Sequence, residues 1–149
     1  MVDRQEILKL MDEAEVVYLA TIGEKGPRIR ALENLRRADQ YPDASKFCRN
    51  AGLTAYLATS GASNKARDVR ATPSVALYYC KPGSYQGVML SGRAEVRDDA
   101  DLKKALWSEG WRAFWAGPHD ADYVVIRMEA EEVSGWWSGK PFRVEVNAR

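Results

Sequence analysis

The sequence predicts a mostly β domain with flanking helices, in which an antiparallel sheet closes into a small barrel. Short β-branched and aromatic runs recur along the 149-residue chain and alternate with turns rich in glycine and proline. The turns after the first and fourth of these runs are too short for a parallel crossover, which needs about a dozen residues. These two observations disfavour a doubly wound parallel sheet and favour helices placed at the ends of a barrel.

Periodicity and turn residues assign the individual elements. Asp3 and Glu6 form a capping-box pattern ahead of a first helix whose apolar residues recur at helical spacing. Strands are expected at residues 16–22, 28–34, 53–59, 75–80, 88–96 and 123–128, the first buried on both faces and the last running on toward Val133. Gly92 predicts a bulge or a close backbone approach in the fifth strand.

Further helices are expected at residues 63–71 and after Asp98 and Asp99, followed by a second helical segment that carries four aromatic residues. Residues 36–52 are polar and broken by Pro42 and Gly52, which indicates a loop with one helical turn at most. Residues 138–149 are either a seventh strand or a tail that orders only against a partner.

Composition and charge exclude several classes of function. A hydrophobic share of 46% and a charged share of 29% are typical of a single globular domain, here residues 1–149. The polar start and the lack of an apolar run near ~20 residues predict a cytoplasmic protein without membrane contact. A net charge of +1 provides no field for capturing nucleic acid. Cys48, Cys80 and His119 are too few soft ligands for a metal site, and the thiols are expected to be reduced.

The segment from Thr59 to Arg67 is the strongest candidate for a binding site. It leaves a strand, passes through small residues and enters a helix, where backbone N–H groups and partial positive charge favour an anion. Ser63 can cap the helix or donate its hydroxyl, and Lys65 adds a full charge. The same residues also fit a plain turn capped by Ser63 with solvated basic side chains.

Two other segments carry candidate functional side chains. Arg28 and Arg30 point to the same face of a strand, where they need either water or an anion. The helically spaced aromatic residues are expected to lie mainly in the core; they are Trp107, Trp111, Phe114 and Trp115. Trp136 and Trp137 point to opposite sides of a strand, so one of them is expected to face outward, at a subunit interface or a ring-stacking position.

These segments, in this order, resemble the pyridoxamine 5′-phosphate oxidase-like split-barrel flavoproteins, nearest the short subgroup described as general stress proteins. The resemblance covers residues 16–137 and rests on several short motifs. They are Ala20-Thr21, Gly26-Pro27 leading to Arg30-Ala31-Leu32, Thr59, Ser63-Asn64-Lys65-Ala66, residues 73–77, residues 88–96, Leu106-Trp107 and Trp136-Trp137.

The resemblance implies a six-stranded antiparallel split β-barrel that forms a homodimer and binds FMN at the dimer interface. By position, Arg30 matches the family's strand arginine near the flavin and its phosphate arm. Ala31 and Leu32 match residues beside the isoalloxazine ring, and Ala58 and Thr59 match the adjoining strand end. Ser63 and Lys65 match the phosphate loop.

Two departures bear on activity. Many full oxidases carry arginine where this chain has Asn64, and they end in a basic segment with arginine and histidine that contacts the substrate phosphate. No such segment follows Trp137. The resemblance therefore implies a flavin-dependent oxidoreductase with a small-molecule redox substrate, but not oxidation of pyridoxamine 5′-phosphate.

Two alternatives remain open at the level of sequence. One is a split-barrel protein that binds a deazaflavin or haem, and haem ligation would need His119, a cysteine or a tyrosine. The other is a cofactor-free dimeric scaffold. No side chain is identified as a catalytic acid or base.

Overall fold

The computed structural model describes residues 2–146. Its helices are α1 Arg4–Glu13, α2 Pro42–Asn50, α3 Asn64–Ala71 and α4 Ala100–Leu106, with short 3₁₀ turns at Pro82–Ser84 and Glu109–Ala113. Its strands are β1 Val16–Gly23, β2 Gly26–Glu33, β3 Thr54–Ser60, β4 Ser74–Lys81, β5 Gln86–Arg97, β6 Tyr123–Trp137 and β7 Lys140–Glu145.

The strands form one antiparallel sheet in the order β2-β1-β4-β5-β6-β3. The sheet curls into a half-barrel, which confirms the predicted fold class. β6 is long enough to pair with two neighbours on one side. Its first half pairs with β3 and its second half with β7. The C-terminal segment therefore contains a seventh strand, and residues 147–149 lie outside the described residues.

A bulge near Gly92 allows β5 and β6 to stay paired along the curve. The register shifts between Ser91 and Gly92, which pair with Glu132 and Ala130. A Cβ at position 92 would lie 2.0 Å from the Glu129 carbonyl oxygen. Only glycine allows this backbone approach, so the sequence prediction for Gly92 is confirmed.

Helix α1 closes the inner side of the sheet. Asp3 accepts a hydrogen bond from the backbone N–H of Glu6 and so caps the helix as predicted. Its apolar stripe, with Ile7, Leu10 and Met11 buried, joins the core formed by the inner faces of the strands. A second cluster, around Leu106, Trp111 and Tyr123, lies between α2, α4 and β6.

Burial alternates along β1, so the prediction that this strand is buried on both faces is wrong for the single chain. Val17, Leu19 and Thr21 are buried, whereas Tyr18 is half-buried and Ile22 is exposed. The second face belongs to the outer surface of the sheet, which no other described element of the chain covers.

Two local predictions differ from the structure. Residues 42–50 form the helix α2 rather than a loop, because Pro42 occupies the first turn and the residues on the inner face, Ala44, Ser45 and Cys48, are small enough to pack closely. Because these residues are only weakly apolar, the helical periodicity of hydrophobic residues in this segment is weak. The aromatic segment after Trp107 forms a 3₁₀ turn rather than an α-helix, since Gly110 falls inside it.

Within residues 2–146, no helix has the length and apolar character needed to cross a membrane. The same residues contain no cluster of three or more histidine, cysteine, aspartate or glutamate side chains arranged to hold a metal ion.

Candidate functional site

A cleft of about 560 Å³ opens where β2 and β3 end, beside the start of α3. Its other wall is the segment 107–115, which we call the aromatic strap. The cleft is lined by Leu32, Glu33, Ala58, Thr59, Ser60, Ser63, Lys65, Trp111, Ala113, Phe114, Trp115 and Asp122. A polar corner at α3 thus faces an apolar wall across a single opening.

Ser63 organises the polar corner. Its hydroxyl oxygen accepts the backbone N–H of Ala66 at 3.2 Å, which caps α3. The same oxygen accepts the Thr59 hydroxyl at 3.2 Å. Because the Ser63 hydroxyl accepts in both hydrogen bonds, its own proton can be donated to a ligand. The first turn of α3 also leaves the N–H groups of Asn64 and Lys65 without partners inside the helix.

The backbone amides of the loop before α3 are already engaged by Asp122. The N–H of Gly61 donates to the Asp122 carbonyl oxygen at 2.6 Å, and the N–H of Ala62 donates to its carboxylate at 3.3 Å. The Ser60 hydroxyl and the Trp115 indole N–H also donate to that carboxylate. These bonds, led by the one from Ser60, hold the pKa of Asp122 below its usual value. The loop amides therefore do not serve the anion as the sequence suggested, and the helix start, Ser63 and Lys65 remain as donors.

Three positively charged side chains, Arg28, Arg30 and Lys65, lie at or next to the polar corner. Lys65 is half-buried, and no carboxylate within residues 2–146 lies within ion-pair distance of it. Burial, and then the nearby charge of Arg30, lowers the pKa of Lys65. Arg28 and Arg30 both extend from the inner face of β2 to Asp68 on α3, each at 3.6 Å. The two arginines share the single carboxylate of Asp68 and Lys65 has no carboxylate partner in the described part of the chain, so two of the three positive charges are uncompensated.

The structure brings most of the predicted site residues together. Leu32, Ala58, Thr59, Ser63 and Lys65 all line the cleft. Arg30 lies behind Lys65, where it donates to the Thr21 hydroxyl at 2.8 Å, and it does not line the cleft itself. Ala31 is exposed on the opposite, outer face of β2.

The sequence analysis did not identify two acidic residues near the cleft. Asp68 lies three residues after Lys65, which reads as an ordinary i,i+3 surface pair, and Asp122 lies 60 positions from the loop it holds. Helical spacing places Asp68 on α3, but nothing in the sequence shows that arginine side chains of β2 reach that helix.

The aromatic residues divide between core and surface. Trp111 is buried and packs edge-on against Trp107 and Trp115, with ring centroids 5.8 and 6.0 Å away. Phe114, predicted as core, is instead 75% exposed at the rim of the cleft, because the 3₁₀ turn places it on the outer side. Trp136 is exposed and Trp137 packs on the core, so the prediction that one of the pair faces outward is confirmed.

The order of elements around this cleft has counterparts among known proteins. The sequence model of the pyridoxamine 5′-phosphate oxidase family matches residues 4–137. This chain belongs to the pyridoxamine 5′-phosphate oxidase family. The resemblance drawn from the sequence motifs is thereby confirmed.

Relatives of this family member include general stress proteins. General stress protein 26 of Bacillus subtilis (strain 168) is 26% identical over 133 aligned residues, in an alignment that covers 87% of this chain and 85% of that protein. The crystal structure of a Clostridium acetobutylicum protein related to general stress protein 26 superposes with a TM-score of 0.76, at 23% identity over 97% of both chains. General stress protein 26 of Bacillus anthracis str. Sterne gives a TM-score of 0.73 at 17% identity, covering 95% of this chain and 98% of that one. These structures share the split-barrel fold with this chain.

Proposed function

We propose that this protein is an FMN-binding flavoprotein that acts as an oxidoreductase on a small-molecule redox substrate, and that it works as a homodimer. The observation that carries the proposal is the pairing of two uncompensated positive charges with an aromatic-walled cleft. FMN has the matching division into a phosphomonoester and a flat, largely apolar ring.

The polar corner fits a phosphomonoester. Near neutral pH such a group carries a charge of about −1.5 to −2. The surplus of Arg28, Arg30 and Lys65 over Asp68 offers two positive charges in return. Ser63 and the first turn of α3 supply hydrogen-bond donors to the phosphate oxygens.

The rest of the cleft fits a ring system. Its volume of about 560 Å³ falls within the range of small-molecule sites. Leu32 and Ala58 leave room for a flat ring beside the strand ends, and Trp115 of the aromatic strap offers an apolar face.

The side chains that line the cleft would bind the cofactor, orient it and shield it from water. Bound FMN supplies the transfer of one or two electrons, and the protein supplies orientation and electrostatics. Ser63 and Lys65 hold the phosphate end, Leu32 and Ala58 set the depth of the ring, and the aromatic strap excludes water. Asp122 stays ionised, since its pKa is lowered by hydrogen bonds.

A cofactor of the haem type fits less well. His119 is exposed in the turn after the aromatic strap and does not line the cleft. The two cysteines do not line it either. The side chains that do line it suit a phosphate and a ring rather than axial ligation of iron.

The outer face of the sheet supports the proposed homodimer. Cross-strand rows on β2, β1, β4 and β5 bring together small and apolar side chains that are half or fully exposed. The rows are Ala31–Tyr18–Tyr78–Met89 and Ile29–Ala20–Ala76–Ser91. Ile29 alone is 71% exposed. An exposed apolar face of this kind suits a second copy related by a twofold axis.

The dimer is tested by light scattering at micromolar concentration. We expect a species of twice 16.7 kDa, and we expect Ile29→Asp to convert it to the monomer. Phe47→Asp, which changes an exposed apolar residue on α2, serves as the control and should remain dimeric. A wild-type protein of 16.7 kDa only would contradict the proposed assembly.

Oxidation of pyridoxamine 5′-phosphate is not expected. Among the described residues after Trp137, the basic ones are Lys140 and Arg143 of β7, and the exposed Arg143 pairs with Glu132 of β6. Lys140 and Arg143 are not in the arginine–histidine arrangement through which the full oxidases contact the substrate phosphate. Formation of pyridoxal 5′-phosphate by the FMN-loaded protein at about 1 per second or faster would overturn this expectation.

The cofactor proposal is tested by comparing FMN with riboflavin, which lacks the phosphate. Lys65→Ala should weaken FMN binding about tenfold or more and leave riboflavin binding nearly unchanged, because a charge-assisted hydrogen bond is lost. Arg67→Ala is the matched control: it removes an exposed cation of the same helix whose side chain is bound to Asn64. Equal losses for both ligands, or no binding of FMN by the wild type, would refute the proposal.

A further inference from the structure

Asp68 is a buried carboxylate on α3 that faces the β1–β2 hairpin instead of solvent. Only 5% of the residue is exposed. The first core and the cleft both lie beside α3, so a charge at this position is costly unless it is paired. Its partners come from the hairpin and consist of one hydroxyl and two guanidinium groups.

The contacts converge on a single oxygen of Asp68. The buried Thr21 hydroxyl donates to Oδ2 at 2.8 Å. Arg30 reaches the same oxygen through one terminal nitrogen, at 3.6 Å, and donates through the other to the Thr21 hydroxyl, at 2.8 Å. Thr21 is therefore both an acceptor for Arg30 and a donor to Asp68.

This arrangement fixes Arg30 in one orientation. The terminal nitrogen that donates to Thr21 also donates to the Leu19 carbonyl oxygen, at 3.3 Å. A guanidinium held on one edge by a hydroxyl, a carbonyl and a carboxylate keeps its remaining N–H groups directed away from those partners. Lys65 lies near enough for the charge of Arg30 to lower the pKa of the amine.

We propose that Asp68 is a positioning residue that, through Thr21, holds Arg30 beside Lys65 and so assembles the phosphate-binding corner of the cleft. The inference rests on the proposed function and names the side chain that orders the site. The inference predicts the direction in which phosphate affinity changes when Asp68 is removed, because a negative charge by itself disfavours a bound anion. A role in charge alone would make its removal strengthen phosphate binding, whereas a positioning role makes its removal weaken phosphate binding.

The experiment compares Asp68→Asn with the wild type for three ligands: FMN, riboflavin and inorganic phosphate. Calorimetry measures the affinity for FMN and riboflavin, and the shift of the unfolding temperature with added phosphate measures phosphate binding. Asp68→Asn should weaken FMN and phosphate binding about tenfold, and riboflavin binding less than about twofold, since the loss falls on charge-assisted hydrogen bonds. Thr21→Val should reproduce part of the loss, and Thr21→Ser, which keeps the hydroxyl, should restore wild-type binding.

Asp12→Asn is the matched control. Asp12 also pairs with two arginines, Arg36 at 2.8 Å and Arg49 at 3.6 Å, but it lies on α1 and does not line the cleft. Its substitution should lower stability without changing the ratio of FMN to riboflavin affinity. A general effect of breaking an aspartate–arginine cluster would appear in both variants.

The outcomes separate the two proposals. Unchanged or tighter phosphate binding by Asp68→Asn overturns the positioning role, as does an equal loss for FMN and riboflavin. If phosphate binding by the wild type depends on Asp68 but the wild type does not prefer FMN to riboflavin, the proposed cofactor is overturned and the positioning role is retained. A wild type that binds none of the three ligands overturns both.

Discussion

Two clusters of the same composition, one aspartate with two arginines, lie in different parts of this molecule. In the first, Asp12 pairs with Arg36 and Arg49. In the second, Asp68 pairs with Arg28 and Arg30. The first is closed by backbone acceptors: Arg36 donates to the carbonyl oxygens of Cys48 and Gly52 at 3.0 and 2.9 Å. The second adjoins Lys65 and the cleft.

The difference shows how similar side chains are used for stability in one place and for binding in another. In the Asp12 cluster the guanidinium of Arg36 is satisfied within the protein and binds carbonyl oxygens at the C-terminal end of α2, so it contributes to folding. In the Asp68 cluster a third cation adds charge that the protein does not neutralise. Uncompensated, partly buried charge lowers stability and is typical of binding sites.

The largest expected effect comes from breaking the closed cluster. Arg36 is 4% exposed, and Arg36→Met would leave Asp12 with only the 3.6 Å contact to Arg49 and would remove the donor to two backbone carbonyl groups. We expect the free energy of unfolding to fall by about 3 kcal/mol. Urea denaturation measures this loss, and Arg97→Ala, which breaks an exposed pair with Asp99, should cause no measurable change. A change in the ratio of FMN to riboflavin affinity in Arg36→Met would show that the two clusters are not independent.

The second effect concerns the pH dependence of FMN binding. The pKa of Lys65 is lowered, so its amine loses its proton at a lower pH than an ordinary lysine. FMN affinity should fall by about tenfold in total as pH rises through that pKa, since the charge-assisted contact is lost. Lys65→Arg should keep its affinity over the same range, because arginine remains charged. Flavin fluorescence between pH 7 and pH 10.5 provides the measurement, and parallel profiles for the two proteins would contradict the assignment.

The smallest effect concerns stability without ligand. Because the pKa of folded Lys65 lies below its unfolded value, the folded state binds fewer protons between those two values, and wild-type stability rises with pH across that window. Lys65→Met should lack this rise and should be slightly more stable near neutral pH, by less than about 1 kcal/mol. Thermal unfolding at several pH values checks both points. A destabilised Lys65→Met would indicate that Lys65 has an internal partner.

Local patterns in the sequence predicted most elements because they depend on neighbouring residues. The capping of α1 by Asp3 and of α3 by Ser63 needs only residues three positions apart. The bulge at Gly92 was visible as a glycine inside an alternating strand. Helix α2 was missed because its buried residues are small, and Phe114 was misplaced because a 3₁₀ turn rotates side chains differently from an α-helix.

The sequence by itself determined the antiparallel strands, the capped start of α3 and the residue types needed to hold an anion. Only the tertiary structure decided which charges meet there. Arg30, Thr21 and Asp68 come from β2, β1 and α3; the β1–β2 hairpin brings the first two together, and the packing of α3 on β1 adds the third. It also decided that Asp122 occupies the amides of Gly61 and Ala62. Pairing between distant residues depends on packing geometry, which local propensity and spacing do not encode.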